Sequence, residues 1–172
     1  MEGVSGRSLA DTADIIDDHF HNYENIFGLA AAPSSSHFGD LESLNPFVIT
    51  SGNNVFGAAV GLIGTADTPV RVGSLLFDTR RLYIIDVSNA NPFLVRIIWG
   101  TPAQTPAQAI TAKQYSDTVA QQLTAAGNNK PQECFNIRIK IGDQVWAETK
   151  NGTNLSTVRF LVGMHEYPSP TF

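Results

Sequence analysis

From Phe47 onward the apolar residues recur at every second position, and this period of two restricts the chain more than any other feature of its sequence. Side chains in a strand point alternately to opposite faces, so such a pattern buries one face of a sheet and wets the other. Phe93, Val95, Ile97 and Trp99 alternate with Leu94, Arg96 and Ile98. Phe135, Ile137, Ile139 and Ile141 alternate with Asn136, Arg138 and Lys140, the cleanest such run in the chain. Further strands are expected at 47–50, 55–63, 70–77, 82–87, 145–149 and 157–164, with the pair Arg80-Arg81 at a strand start. Gly142-Asp143 predicts a hairpin into Val145–Thr149, and Asn151-Gly152 predicts the next turn. Residues 101–130 carry the weakest pattern: a strand is expected near 109–115, and 119–123 fits either strand or helix. A succession of short strands punctuated by Gly, Asn, Asp and Pro predicts a mainly β fold, an antiparallel β-sandwich of jelly-roll type.

The first 45 residues read differently. Leu9, Ala13, Ile16, Phe20, Tyr23 and Phe27 follow a helical spacing, with Ser8 placed to cap the start and Gly28 to end it. Residues 30–36, with Pro33 and three serines, read as a linker or extended arm. The expected organisation is an N-terminal helix and arm over 1–45 and a β-sandwich domain over 46–172.

Composition narrows the function classes. Charged residues make up 16% of the 172 residues, against roughly 25% in ordinary globular domains; partner subunits covering part of the surface would account for the deficit. The net charge is −5 and no Lys/Arg cluster forms a basic groove, so nucleic acid is not an expected partner. The apolar stretch 55–63 is too short to span a bilayer, so no membrane is expected either. One cysteine, Cys134, makes no internal disulfide and reads as a buried thiol, and no basic-then-apolar leader is visible, so synthesis and folding in a cytoplasm are expected.

Candidate chemistry centres on His19, His21 and Glu24. Two histidines and a carboxylate are metal-ligand types, and a cupin-like metal enzyme would use a His-x-His with a nearby Glu. On a helix, however, residues i and i+2 diverge by about 200°, so these residues read as surface contacts together with Tyr23 and Phe27. His165 and Glu166 close the last strand and read as a polar cluster facing a neighbour rather than an acid–base pair. Trp99 shares its parity with core residues. Trp146 shares its parity with Glu148 and Lys150 and reads as exposed, an interface anchor or the marker of a carbohydrate-binding sandwich, unless the N-terminal segment covers it. Gly57, Gly61 and Gly64 match no phosphate-binding spacing and read as sites of close backbone approach or a bulge. No catalytic set and no cofactor are expected.

The segments His21–Gly28, Phe47–Gly57, Asp67–Pro69, Arg96–Gly100, Val145–Ala147, Phe160–Gly163 and His165–Tyr167 together resemble, in their order, a family of small tailed-phage proteins encoded near the major capsid protein. In that family the first segment is more basic and has a Trp before the Phe-Gly, and this chain departs at those positions. The resemblance implies a capsid decoration, or cement, protein: a β-sandwich on the outer surface of the virion head, partnered by the major capsid protein and by copies of itself, often as a homotrimer. It implies no catalytic residues. Residues 1–45 are the expected contact segment.

Overall fold

The computed structural model describes residues 25–28, 46–64, 76–120, 132–133, 139–140 and 142–167; at 25–27, 76–78, 80, 132–133 and 165–167 the description is of backbone alone. The chain is mainly β. In order the strands are β1 (Asn25–Phe27), β2 (Phe47–Thr50), β3 (Gly52–Asn53), β4 (Val60–Ile63), β5 (Leu76–Val87), β6 (Phe93–Gly100), β7 (Tyr115–Ala120), β8 (Gln132–Glu133), β9 (Gln144–Asn151) and β10 (Thr157–Tyr167), with a short helix α1 (Pro106–Thr111) between β6 and β7.

Two sheets form. In the first, β10 lies between β5 and an edge shared by β1 and β2, and β8 flanks β5. In the second, β9 lies between β6 and an edge shared by β3 and β4, and β7 flanks β6. All pairs are antiparallel except β3 with β9, so the second sheet is mixed. One cluster of buried side chains draws on both sheets: Phe47, Ile49, Leu82, Ile84, Phe160 and Val162 from the first, and Leu62, Phe93, Val95, Ile97, Trp99 and Val145 from the second. The alternation in β6 therefore has its expected outcome, with Phe93, Val95, Ile97 and Trp99 all turned into this core. A register shift between Gly61 and Ile63 lets the adjacent Leu62 and Ile63 both enter it, which a regular strand forbids.

Several expectations are corrected. The helix predicted to run through Phe27 does not extend that far: Asn25–Phe27 is strand β1, paired with Val162–Met164 of β10. The free edge of β10 supplies backbone partners that a helical turn at this position would forgo, and Ile and Phe suit a strand as well as a helix face. The rest of the predicted helix and the arm lie outside the described residues. Only Val60–Ile63 of the expected 55–63 strand is a strand. Arg80 and Arg81 sit within β5, not at its start. The expected strand near 109–115 is instead α1, and the strand begins at Tyr115.

The hairpin across Gly142-Asp143 does not form. Gly142 does turn the chain, with φ +81°, and the Asp143 amide donates to the Lys140 carbonyl at 3.1 Å. Both flanks of β9 are already taken, however, by β6 on one side and by β4 and β3 on the other, while β8 belongs to the other sheet. The successive pairs β5–β6 and β9–β10 likewise change sheets, so these turns are corners between the sheets, whereas β6 and β7 stay in one sheet. Of the run 135–141 only Ile139, buried in the core, and Lys140 are described.

Candidate interaction surface

The outer face of the second sheet carries a charged cluster that register creates. Arg96 on β6 lies opposite Asp117 on β7 and opposite Glu148 on β9. Opposite charges directly across a ladder attract, and the side chains take up the contact. Arg96 Nε and Nη2 donate to the two Asp117 carboxylate oxygens at 2.7 and 3.0 Å, a bidentate pair, and Nη1 donates to Glu148 Oε1 at 3.2 Å. The guanidinium lies over the rings of Phe56 and Tyr115, 3.9 and 4.2 Å from their centroids. Phe56 reaches this position because its segment is laced to β9: the Gly57 amide donates to the Thr149 carbonyl at 2.9 Å, and the Asn54 amide to the Asn151 carbonyl at 2.9 Å. A side chain at Gly57 would overlap the Thr50 carbonyl oxygen, so the expected close backbone approach is real there.

Electrostatics follow the burial. The hydrogen bond to Asp117 raises the Arg96 pKa against the opposing effect of burial. Burial raises the Glu148 carboxyl above the usual glutamate range, more than Arg96 draws it down. Burial also raises Asp143, against the pull of Lys140.

Trp146 does not stand among these charges as an exposed ring. It is 7% exposed and packs with Ile98 and Ala109, with Ala59, Ile110 and Tyr115 against them. Its parity is as read, on the outer face, but α1 and the segment before β4 cover it. The helix is fixed by a capping box, in which Thr105 and Gln108 each bond the other's backbone, with Pro106 at the first helical position. That Thr-x-x-Gln signature was present in the sequence and signals the helix, though not where the helix packs. With Trp146 enclosed, the carbohydrate-platform reading loses its marker.

A second feature lies at the end of the sheets where three corners meet. Asn89 Nδ2 donates to Ser156 Oγ at 2.6 Å and to Asn151 Oδ1 at 3.3 Å. Asn151 Nδ2 donates to the Asn91 and Pro92 carbonyls, and Asn151 Oδ1 accepts from the Thr153 amide at 2.8 Å. Ser51 donates from its amide to the Ser156 carbonyl and from its hydroxyl to the Thr153 carbonyl, and its own carbonyl accepts from the Leu155 amide. The Thr157 amide donates to Ser88 Oγ at 2.8 Å. Ser51, Asn151 and Ser156 are buried, and the 151–157 corner satisfies polar groups of both of the others. Above this bracing, Val55 is 59% exposed and Leu155 73% exposed. Leu155 has φ +55°, a conformation that Asn, Asp and Gly adopt readily and leucine rarely does. A shallow depression of about 180 Å³ adjoins, lined by Asn54, Pro92, Leu94, Val119, Lys150 and Gly152.

His19, His21, Tyr23 and Glu24 lie outside the described residues. Phe27 is in β1, opposite Val162. His165 and Glu166 extend β10 opposite Asp78 and Phe77 of β5. The structure thus brings none of the described sequence candidates to a common point; what it brings together, Arg96 with Asp117 and Glu148 and the three corner loops, becomes visible only once the register is known. Among the described residues no group of three His, Cys, Asp or Glu side chains converges as a metal site, and no helix is long and apolar enough to cross a membrane. Comparisons with protein-family models, with curated proteins and with solved structures find no match to this chain.

Proposed function

We propose that this chain is a structural virion protein, a decoration or cement protein that binds the outer surface of a tailed-phage head and holds major capsid subunits together. The observation that carries the reading is the investment of buried polar residues in a surface rather than a cavity. Asn89, Asn151, Ser51 and Ser156 brace corner loops that present Val55 and Leu155 to solvent. A rigid, pre-organised surface loses little freedom on docking, and on a lattice of repeated sites weak contacts add by avidity. The ordered sequence segments that resemble the decoration family supply the specific partner.

The fold we assign to this role is a jelly-roll β-sandwich. The order β2-β10-β5-β8 in one sheet and β4-β9-β6-β7 in the other supports it, because from β4 to β10 each successive strand crosses to the other sheet except at β6–β7, the pattern two nested Greek keys give. The shared core supports it too.

The test is co-sedimentation of the purified chain with heads assembled from a tailed-phage major capsid protein. Saturable binding at a fixed number of copies per head, and heads that resist heat better when decorated, are expected. Absence of saturable binding overturns the proposal. A truncated chain beginning at Asn25 keeps β1 and is expected to lose binding if the preceding residues supply the contact.

A further inference from the structure

We propose that Asn151 is a site of irreversible modification, deamidation to aspartate or isoaspartate, which the braced corner holds off and which any opening of that corner admits. The inference does not depend on the shell-binding reading. Asn151-Gly152 is the only Asn-Gly pair in the sequence. In a free chain such a pair cyclises readily, because glycine places no side chain beside the attacking nitrogen and leaves the backbone free to turn. The Gly152 nitrogen gives up its proton to a solvent base and bonds to Cγ of Asn151. The Cγ–Nδ2 bond breaks, and the side-chain nitrogen takes a proton from solvent and leaves as ammonia. Water then opens the cyclic imide at either of its carbonyls, which leaves aspartate or its β-linked isomer.

The fold pins the reacting carboxamide. Asn151 is buried at the end of β9, in register with Asn53, and its backbone carbonyl accepts from the Asn54 amide at 2.9 Å. Its Oδ1 accepts from the Thr153 amide at 2.8 Å and from Asn89 Nδ2 at 3.3 Å. Its Nδ2 donates to the Asn91 and Pro92 carbonyls at 3.3 and 3.1 Å. Cγ cannot swing onto the Gly152 nitrogen without breaking these bonds, so the reaction runs only from molecules whose corner has opened. The product cannot rebuild the corner. Where Nδ2 donated, a carboxylate oxygen faces two carbonyl oxygens, acceptor against acceptor, in a place that water reaches poorly. The β-linked isomer also lengthens the main chain by a methylene between 151 and 152. Nor does the fold require a glycine here. Gly152 has no positive φ, and a Cβ on it would meet only Asn54 Oδ1, at the ordinary contact distance of 3.7 Å. The labile pair therefore occupies a position where a stable one would fit, and the corner acts as a latch that does not reset once cyclisation has followed its opening.

Peptide mapping by mass spectrometry, which separates asparagine, aspartate and isoaspartate at 151, tests this on the full-length chain held at mildly alkaline pH. The folded chain should deamidate at 151 about a hundredfold or more slowly than the same chain kept unfolded in urea, since opening the corner gives up several hydrogen bonds at once. Asn89→Ala removes a donor to Asn151 Oδ1 and should raise the folded-state rate severalfold while leaving the rate in urea unchanged. Ser51→Ala removes the hydroxyl bond to the Thr153 carbonyl, should act the same way, and serves if the first variant does not fold. Gly152→Ala should fold and should slow the reaction in urea. Wild-type chain deamidated in urea and returned to buffer should have a lower urea midpoint than before, and Gly152→Ala carried through the same incubation, the control for other asparagines, should lose less. Equal rates at 151 in the folded and unfolded wild type overturn the proposal. So does an unchanged folded-state rate in both loosened variants, or a midpoint that falls equally in the wild type and in Gly152→Ala.

Discussion

Arg96 balances more charge than any other residue described in the second sheet, and its partners differ in how far they rely on it. Asp117 remains partly exposed, whereas the Glu148 side chain is 9% exposed. Removing the cation leaves a carboxylate in a poorly hydrated place, which costs more than the pair contributes while intact. Arg96→Met is expected to destabilise the chain by about 2 kcal/mol, toward the lower side of buried-pair losses because Asp117 can be rehydrated. The urea midpoint measures it, and Glu148→Gln in the same background should recover part of the loss. Glu148 also sets a pH dependence. Burial raises its carboxyl in the folded chain, so between the ordinary glutamate range and that raised value the folded state holds a proton that the unfolded state has released. Its contribution is therefore fully present below the ordinary range and is lost as pH rises through the folded value. Asp143, also raised by burial, contributes with the same sign. In Glu148→Gln the fall in stability on leaving the acid side should be shallower; an unchanged slope in urea midpoints against pH would contradict this assignment.

At the scale of elements, β10 organises the first sheet, and its far edge is covered by two pieces of chain laid end to end. Phe27 pairs with Val162 and Phe47 with Phe160, so β1 and β2 run in the same direction along one edge, with their nearest partners two residues apart. Strand β1 thus satisfies backbone groups of β10 that would otherwise form an open edge. A chain truncated to begin at Asn25 should keep the hydrogen-exchange protection of 162–164, whereas one beginning at Pro46 should lose it and show a lower urea midpoint. Equal exchange at 162–164 in the two truncations would mean that β1 does not hold that edge in solution. Strand β9 plays the matching part in the second sheet. Gly57 at its border was legible in the sequence as a site of close backbone approach, but not as part of the lacing that carries Phe56 over Arg96.

For the whole molecule the corners matter more than the individual turns. Because β5–β6 and β9–β10 each change layers, the hydrogen bonds among Asn89, Asn151, Ser51 and Ser156 tie the two sheets at one end. Asn151 alone joins the Asn91, Pro92 and Thr153 backbones. Asn151→Ala leaves the buried groups it served unpaired, and a loss of about 2 kcal/mol is expected, with an unchanged dependence on urea concentration. A loss within about 0.5 kcal/mol, the range of ordinary surface substitutions, would show that the corner is not a structural brace.

The sequence by itself determined the class of fold and the inward faces of its clearest strands. A period of two depends only on neighbouring side chains pointing to opposite sides, which is why Phe93, Val95, Ile97 and Trp99 are read correctly from the chain alone. It also placed the turns at Gly142 and Asn151. Only the tertiary structure decided what each turn joins, since a tight turn serves a hairpin or a corner equally well and the choice depends on which edges of β9 are already filled. The same limit explains Trp146, whose outward parity was legible but whose cover by α1 depends on how an intervening helix packs back. It explains Phe27 too, where an apolar spacing fits both a helix and a strand and a vacant edge on β10 settles the matter. Arg96 with its two carboxylates, and the braced corners around Asn151, are products of register and corner geometry. Local spacing reports which face a side chain takes; what it meets there is fixed by residues distant along the chain.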